Sequence, residues 1–163
     1  MWDVPKAVSL VAGAGEGTTE LNAFDRALRD AGIADLNFVR VSSIMPAAAR
    51  LVPLPPYTPG TLVPAVYASI VGHTPGERIA AALAVGTSPG RHGVIMEYSH
   101  AGSAENAEAI VRRMVADAFQ MRGLPLAEVT VVVREHLVER TGCVVAVAVM
   151  WPDAGGVRGG VAR

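Results

Sequence analysis

The chain has 163 residues, the size of one ordinary domain, so a single fold spanning residues 1–163 is expected and no second domain is needed. Half of the residues are hydrophobic (51%), 18% are charged and 5% aromatic, so Val, Ala, Leu and Ile must build the core; the positive mean hydropathy predicts that subunit packing hides surplus apolar surface. Fourteen basic residues against fifteen acidic ones, a net charge of -1 and no run of either sign leave no electrostatic footprint for nucleic acid or anionic lipid.

No apolar run approaches the roughly 20 residues of a transmembrane helix, and Met1 to Leu10 lacks the basic start and apolar stretch of a signal peptide. Neither nucleic acid nor membrane is therefore expected as a partner. The single cysteine, Cys143, excludes an internal disulfide or a multi-thiolate metal site and fits the cytoplasm. Its setting, Gly142-Cys-Val-Val-Ala-Val, predicts a core packing residue.

In chain order, Lys6 to Ala12 reads as a buried strand running into the tight turn Gly13-Ala-Gly-Glu-Gly17. A helix follows, with Thr18 and Thr19 able to cap it, Leu21, Phe24 and Leu28 at helical spacing, and Gly32 as its stop. Leu36 to Ile44 reads as one strand, and Pro46 through Pro59 as a proline-stiffened loop. Val63 to Gly72, Ile79 to Gly86 and Gly93 to Tyr98 predict three strands that are antiparallel neighbours, separated by His73-Thr-Pro-Gly76 and Thr87-Ser-Pro-Gly90. Ala104 to Arg122 is the clearest helix, with Ile110, Met114 and Ala118 on one stripe, Ser103 as cap and Gly123 with Pro125 ending it. Val129 to Val138 and Cys143 to Trp151 complete the strands, and the glycine-rich tail from Pro152 to Arg163 reads as mobile. The order βαββββαββ predicts an α+β fold with helices covering antiparallel-rich sheet, in one layer or two.

Several chemistries fail on the residues alone. Gly13-x-Gly15-x-x-Thr18 has threonine where a dinucleotide fingerprint needs its third glycine, and the following strands do not form βαβ units. There is no Gly-Lys-Ser/Thr phosphate loop and no Gly-x-Ser-x-Gly elbow. His73, His92, His100 and His136 lie in four separate segments without zinc-ligand spacing, so no metal is expected.

What remains is Asn37-Phe-Val-Arg-Val-Ser42-Ser43-Ile-Met-Pro46, two serines at the end of an apolar strand before a proline. Taken alone, such a pair is commonly just polar strand-end residues. Together with Gly13-x-Gly-Glu-Gly-Thr-Thr-Glu-Leu-Asn-Ala-Phe-Asp25, Gly93-Val-Ile-Met-Glu-Tyr98 and Gly142-Cys-Val-Val-Ala, however, it closely resembles the pyruvoyl-dependent arginine decarboxylase family, in the expected order over nearly the whole chain. One departure is Pro46-Ala47-Ala48-Ala49, where relatives commonly continue with a second proline and glycine; it touches the loop but removes no catalytic group.

The resemblance implies a four-layer αββα sandwich that cleaves itself between Ser42 and Ser43. The Ser43 hydroxyl would attack the Ser42 carbonyl, converting the peptide bond to an ester whose elimination leaves residues 1–42 as a β chain and 43–163 as an α chain. The α chain would begin with a pyruvoyl group made from Ser43, a covalent electron sink for decarboxylation that stands in for pyridoxal phosphate and needs no diffusible cofactor. It further implies arginine as substrate, agmatine and carbon dioxide as products, and a homotrimer or hexamer with sites between subunits. Another amino acid on the same machinery is the nearest alternative, and an unprocessed trimeric binding protein is the alternative from another class.

Three more residues acquire roles by the same resemblance. Glu97 would protonate the substrate carbon; alternation puts it on the face of apolar Ile95, where partial desolvation would raise its pKa, whereas the plain alternative is a solvated glutamate. Asp25 would contact the substrate guanidinium; at about 100° per residue it lies some 40° from Leu21, at the edge of the apolar stripe, or else it pairs with Arg29 one turn on. Asn37 would assist self-processing by donating to the oxyanion at Ser42, or is simply a strand-edge asparagine.

Overall fold

The computed structural model describes residues 3–155. In chain order it contains β1 (Ala7–Glu16), α1 (Glu20–Asp30), β2 (Asn37–Arg40), β3 (Ile44–Met45), β4 (Arg50–Leu51), β5 (Leu62–Gly72), β6 (Arg78–Ser88), β7 (Arg91–Ala101), α2 (Ala104–Arg122), β8 (Glu128–Leu137) and β9 (Gly142–Trp151). From residue 156 on, the tail expected to be mobile lies outside the described residues.

The strands form two sheets, ordered β2-β5-β9-β1-β4 and β3-β7-β6-β8. The second is antiparallel throughout; in the first, β2 runs parallel to β5 and β4 parallel to β1 while the central pairs are antiparallel. Three buried clusters lie at three interfaces: α1 on the first sheet around Ala27, Val145 and Trp151, sheet on sheet around Val66, Leu83 and Ala146, and α2 on the second sheet around Ala82, Val111 and Phe119. The molecule is thus an α+β sandwich with its helices outside. β9 shows why its sequence carries no polar alternation: both faces are covered, so all ten of its residues are buried. Cys143 is fully buried there, and burial pushes its thiol up to about 11.

Local chemistry explains the helices. The Thr19 hydroxyl accepts from the Asn22 N–H to cap α1, and the Ser103 hydroxyl accepts from the Asn106 N–H to cap α2. Gly123 closes α2 in the left-handed region, with φ 63°. The buried stripe of α2 is Ala107, Val111, Val115 and Phe119 along with the expected Ala118, while Ile110 and Met114 flank it half-buried.

Three expectations are corrected. Val63 to Gly72 does not neighbour the next strand: β5 lies in the first sheet beside β9, and of the three strands only β6 and β7 pair. The loop from Pro46 to Pro59 contains the short β4 beside β1. On α1 the buried residues are Ala23, Ala27 and Leu28, whereas Leu21 is 75% exposed.

α1 lies closely against Gly13 and Gly15 of β1 and against Gly17 just after it. A Cβ on Gly13 would overlap the Ala27 carbonyl oxygen, one on Gly15 would strike Arg26 and Ala27, and one on Gly17 would overlap the Ala23 nitrogen. The Gly13-x-Gly15 pattern therefore lets a helix lie directly on a strand. Gly13→Ala should lower stability by roughly 1–3 kcal/mol, because backbone rather than a flexible side chain must give way. A urea midpoint equal to that of the parent would contradict this packing.

Candidate active site

The segment expected to form one strand from Leu36 to Ile44 divides in two, with the serine pair at the division. The first part, β2, is an edge strand of the first sheet, and its last tie there is the Val41 N–H, which donates to the Ala65 carbonyl at 3.1 Å. The second part begins at Ser43, whose carbonyl accepts from the Ile95 N–H of β7 at 2.9 Å, so β3 belongs to the second sheet. The segment reads as one short, mostly apolar stretch, and such a stretch does not register which sheet a strand joins. The Ser42–Ser43 peptide unit therefore spans from one sheet to the other, with Ser42 exposed and Ser43 half-buried.

Glu97 comes from β7 on the face it shares with Ile95, which is turned toward the first sheet. The Ser43 hydroxyl donates to Glu97 Oε2 at 3.4 Å, and Arg40 of β2 places a guanidinium nitrogen 3.8 Å from Oε1. The Glu97 side chain is 24% exposed. Burial raises its pKa above the ordinary carboxylate value, against the opposing pull of the Arg40 charge and of the Ser43 hydrogen bond. A carboxyl so placed holds its proton to higher pH than a free glutamate and suits general acid work.

Sequence reasoning missed Arg40 and Tyr67. The Arg40 guanidinium lies 4.7 Å from the Tyr67 ring centroid and donates to the Tyr67 carbonyl at 3.1 Å. The available signal was a lone charge in an apolar strand three residues before Ser43; nothing local marked Tyr67, which arrives from β5 across the sheet.

The other candidates lie apart within one subunit. Asn37 donates its side-chain amide to the Gly60 carbonyl at 2.9 Å, and five residues of mostly extended chain, roughly 15 Å, separate it from Ser42. Direct donation to the Ser42 carbonyl, as expected from the sequence, does not occur in this arrangement. Asp25 is exposed on the outward side of α1, on the side of Leu21, and among the described residues its carboxylate makes neither a hydrogen bond nor the alternative ion pair with Arg29. The wheel argument failed because the α1 stripe runs through Ala23 and Ala27, against the strand glycines, and not through Leu21. A cavity of about 390 Å³ borders Ser42 and Ile44, walled by Val39, Val41, Pro64 and Met150 among others; neither Ser43 nor Glu97 lines it.

The family model for pyruvoyl-dependent arginine decarboxylase matches residues 7–154. A pyruvoyl-dependent arginine decarboxylase of Methanocaldococcus jannaschii is 47% identical over 150 residues, covering 91% of each chain. One from Pyrococcus horikoshii is 44% identical over 155 residues, covering 93% of this chain and 98% of its own, and one from Methanococcus maripaludis is 40% identical over 152 residues, covering 92% and 93%. A match to all but the ends of the chain places this protein in the pyruvoyl-dependent arginine decarboxylase family.

Proposed function

We propose that this chain decarboxylates arginine to agmatine and carbon dioxide, using a pyruvoyl group formed from Ser43 when the chain cleaves itself between Ser42 and Ser43. The observation that carries the reading is the placement of the Ser43 hydroxyl against a half-buried carboxyl, Glu97, at the peptide unit where the chain passes from β2 in one sheet to β3 in the other. The names of the relatives supply the substrate.

In self-processing, Ser43 Oγ bonds to the Ser42 carbonyl carbon, the Ser42–Ser43 C–N bond breaks and the nitrogen takes the proton, giving an ester. Loss of the Ser43 α-proton and cleavage of the ester C–O bond then release Ser42 as a carboxylate. Water replaces the nitrogen left on residue 43, and ammonia departs. The group that results supplies an electron sink for the carbon that loses carbon dioxide. No pyridoxal phosphate or metal enters the scheme.

The remaining residues take roles around that carbon. Glu97 carries the proton that replaces the lost carboxylate, and Arg40 keeps the Glu97 pKa from climbing so far that the proton is never released. Asn37 contributes to processing through the strand it anchors: its bond to Gly60 fixes the start of β2 and hence the path that delivers Ser42. Asp25 pairs with the substrate guanidinium from a neighbouring subunit. In support of this, Leu21 and Asp25 sit one turn apart on an exposed helix face, and Leu21, Leu62 and Ile44 leave apolar surface uncovered, as a trimer or hexamer would require. The cytoplasm, which supplies the substrate, is the compartment that fits.

Ser43→Ala should stay in one piece on a denaturing gel and produce no agmatine; two fragments from that variant would remove Ser43 from the mechanism. Glu97→Gln should still cleave itself yet lose about 10²-fold or more of its decarboxylation, and near-normal turnover would assign the proton to another acid. Because Glu97 works protonated, kcat falls as pH rises through its pKa. Arg40 lowers that pKa, so Arg40→Met should move the alkaline limb of the kcat profile to higher pH, and an unmoved or lowered limb would contradict the pairing. Asp25→Asn should remain folded and processed while kcat/KM for arginine falls at least about tenfold, the cost of leaving a desolvated guanidinium unpaired. Unchanged arginine kinetics would end the assignment of Asp25.

A further inference from the structure

Self-processing puts negative charge on the Ser42 carbonyl oxygen, and Asn37, the side chain expected to meet it, is held at Gly60. That oxygen already has a donor. The Ile44 N–H donates to the Ser42 carbonyl at 3.1 Å. Donor and acceptor are two residues apart, so the bond closes a three-residue turn centred on Ser43. No non-glycine residue among those described has positive φ, which makes this the relaxed inverse form of the turn.

The register of β3 leaves this N–H available. Ile44 stands opposite Val94, next to the hydrogen bond from the Ile95 N–H to the Ser43 carbonyl. In an antiparallel ladder, bonded and non-bonded pairs alternate, so Ile44 occupies a non-bonded position and turns its N–H away from β7. The exposed peptide unit thus has its nucleophile, Ser43 Oγ, held by Glu97 on one side, and its carbonyl polarised by the next N–H along the chain.

We infer that the Ile44 backbone N–H is a catalytic group for self-cleavage, the oxyanion donor for the Ser42 carbonyl; this rests on the reading that the chain cleaves between Ser42 and Ser43. As Ser43 Oγ bonds to the Ser42 carbonyl carbon and gives up its proton, the carbonyl electron pair moves onto oxygen, where the Ile44 N–H holds it. Expulsion of the Ser43 nitrogen, which takes a proton, restores the carbonyl as an ester. A hydrogen bond to an anion is roughly twice as strong as one to a neutral carbonyl, so this contact favours the tetrahedral state over the ground state.

The test removes the N–H in two ways in the full chain. In one variant the 2-hydroxy-acid analogue of isoleucine replaces Ile44, exchanging the N–H for an ester oxygen. In the other, Ile44→Pro removes the N–H but keeps an amide carbonyl at Ser43 to accept from Ile95. Fragment formation is followed over time on denaturing gels, with circular dichroism reporting the fold. Both N–H-deficient chains should process about 10²-fold more slowly than the parent, the usual cost of losing one oxyanion donor. Should Ile44→Pro not fold, the hydroxy-acid chain alone decides. Parent-rate processing in a folded N–H-deficient chain overturns the inference. A parent chain that never cleaves would instead overturn the proposed function on which it rests.

Discussion

A single peptide unit carries the chain between two sheets that otherwise share only side-chain packing along this segment. The Val41 N–H is committed to β5 and the Ser43 carbonyl to β7, so the Ser42–Ser43 unit is held from both ends while lying outside either ladder. That constraint brings together an edge-strand arginine of the first sheet, a glutamate of the second and the hydroxyl between them. It also leaves the Ser42 carbonyl without a ladder partner, which is why the Ile44 N–H can reach it.

A cut at this bond would spare the fold for a topological reason. The first 42 residues supply β1, α1 and β2, and β1 pairs with β9 over ten residues while β2 pairs with β5. Both partners lie beyond residue 43, so two such pieces would remain interleaved in one sheet, with α1 seated on β1 through the glycine contacts. The far end of the sandwich is tied separately. The Glu16 carboxylate accepts from the backbone N–H groups of residues 139, 140 and 141 and lies 2.7 Å from His136 Nε2, joining β1 to the turn between β8 and β9. These bonds outweigh the burial that would raise its pKa and hold it near 2. The tie is therefore intact above the ordinary glutamate value of 4.5 and is lost only as pH falls through about 2.

Much of this was legible in the sequence, and the failures have identifiable causes. Both helices, their caps and the long strands follow from period and punctuation, and the alternation Val94, Met96, Tyr98 against Ile95, Glu97 correctly puts the carboxylate on the face of Ile95, which the structure turns toward the other sheet. The crossing at Ser42–Ser43 was invisible because Leu36 to Ile44 is a short, mostly apolar stretch with no glycine or proline at the change of sheet. The partners of β5 were misjudged because proximity in sequence favours pairing with β6, whereas β9, eighty residues away, is the apolar strand that buries it. Asp25 was placed by a wheel that weighted Leu21 over the alanines, and only the glycines of β1 reveal that alanine is the buried face. Arg40 stood in plain view as the one charge between Asn37 and Ser43, but its purpose depends on Tyr67 and Glu97, which come from other strands.

The intact mass of the purified protein under denaturing conditions tests the central claim most directly. Self-cleavage at the bridging unit predicts two species, a chain of residues 1–42 ending in a free Ser42 carboxylate and a chain of residues 43–163 whose first residue has lost its amine and does not react in N-terminal sequencing. A single species with the mass of all 163 residues, persisting after long incubation, would contradict it.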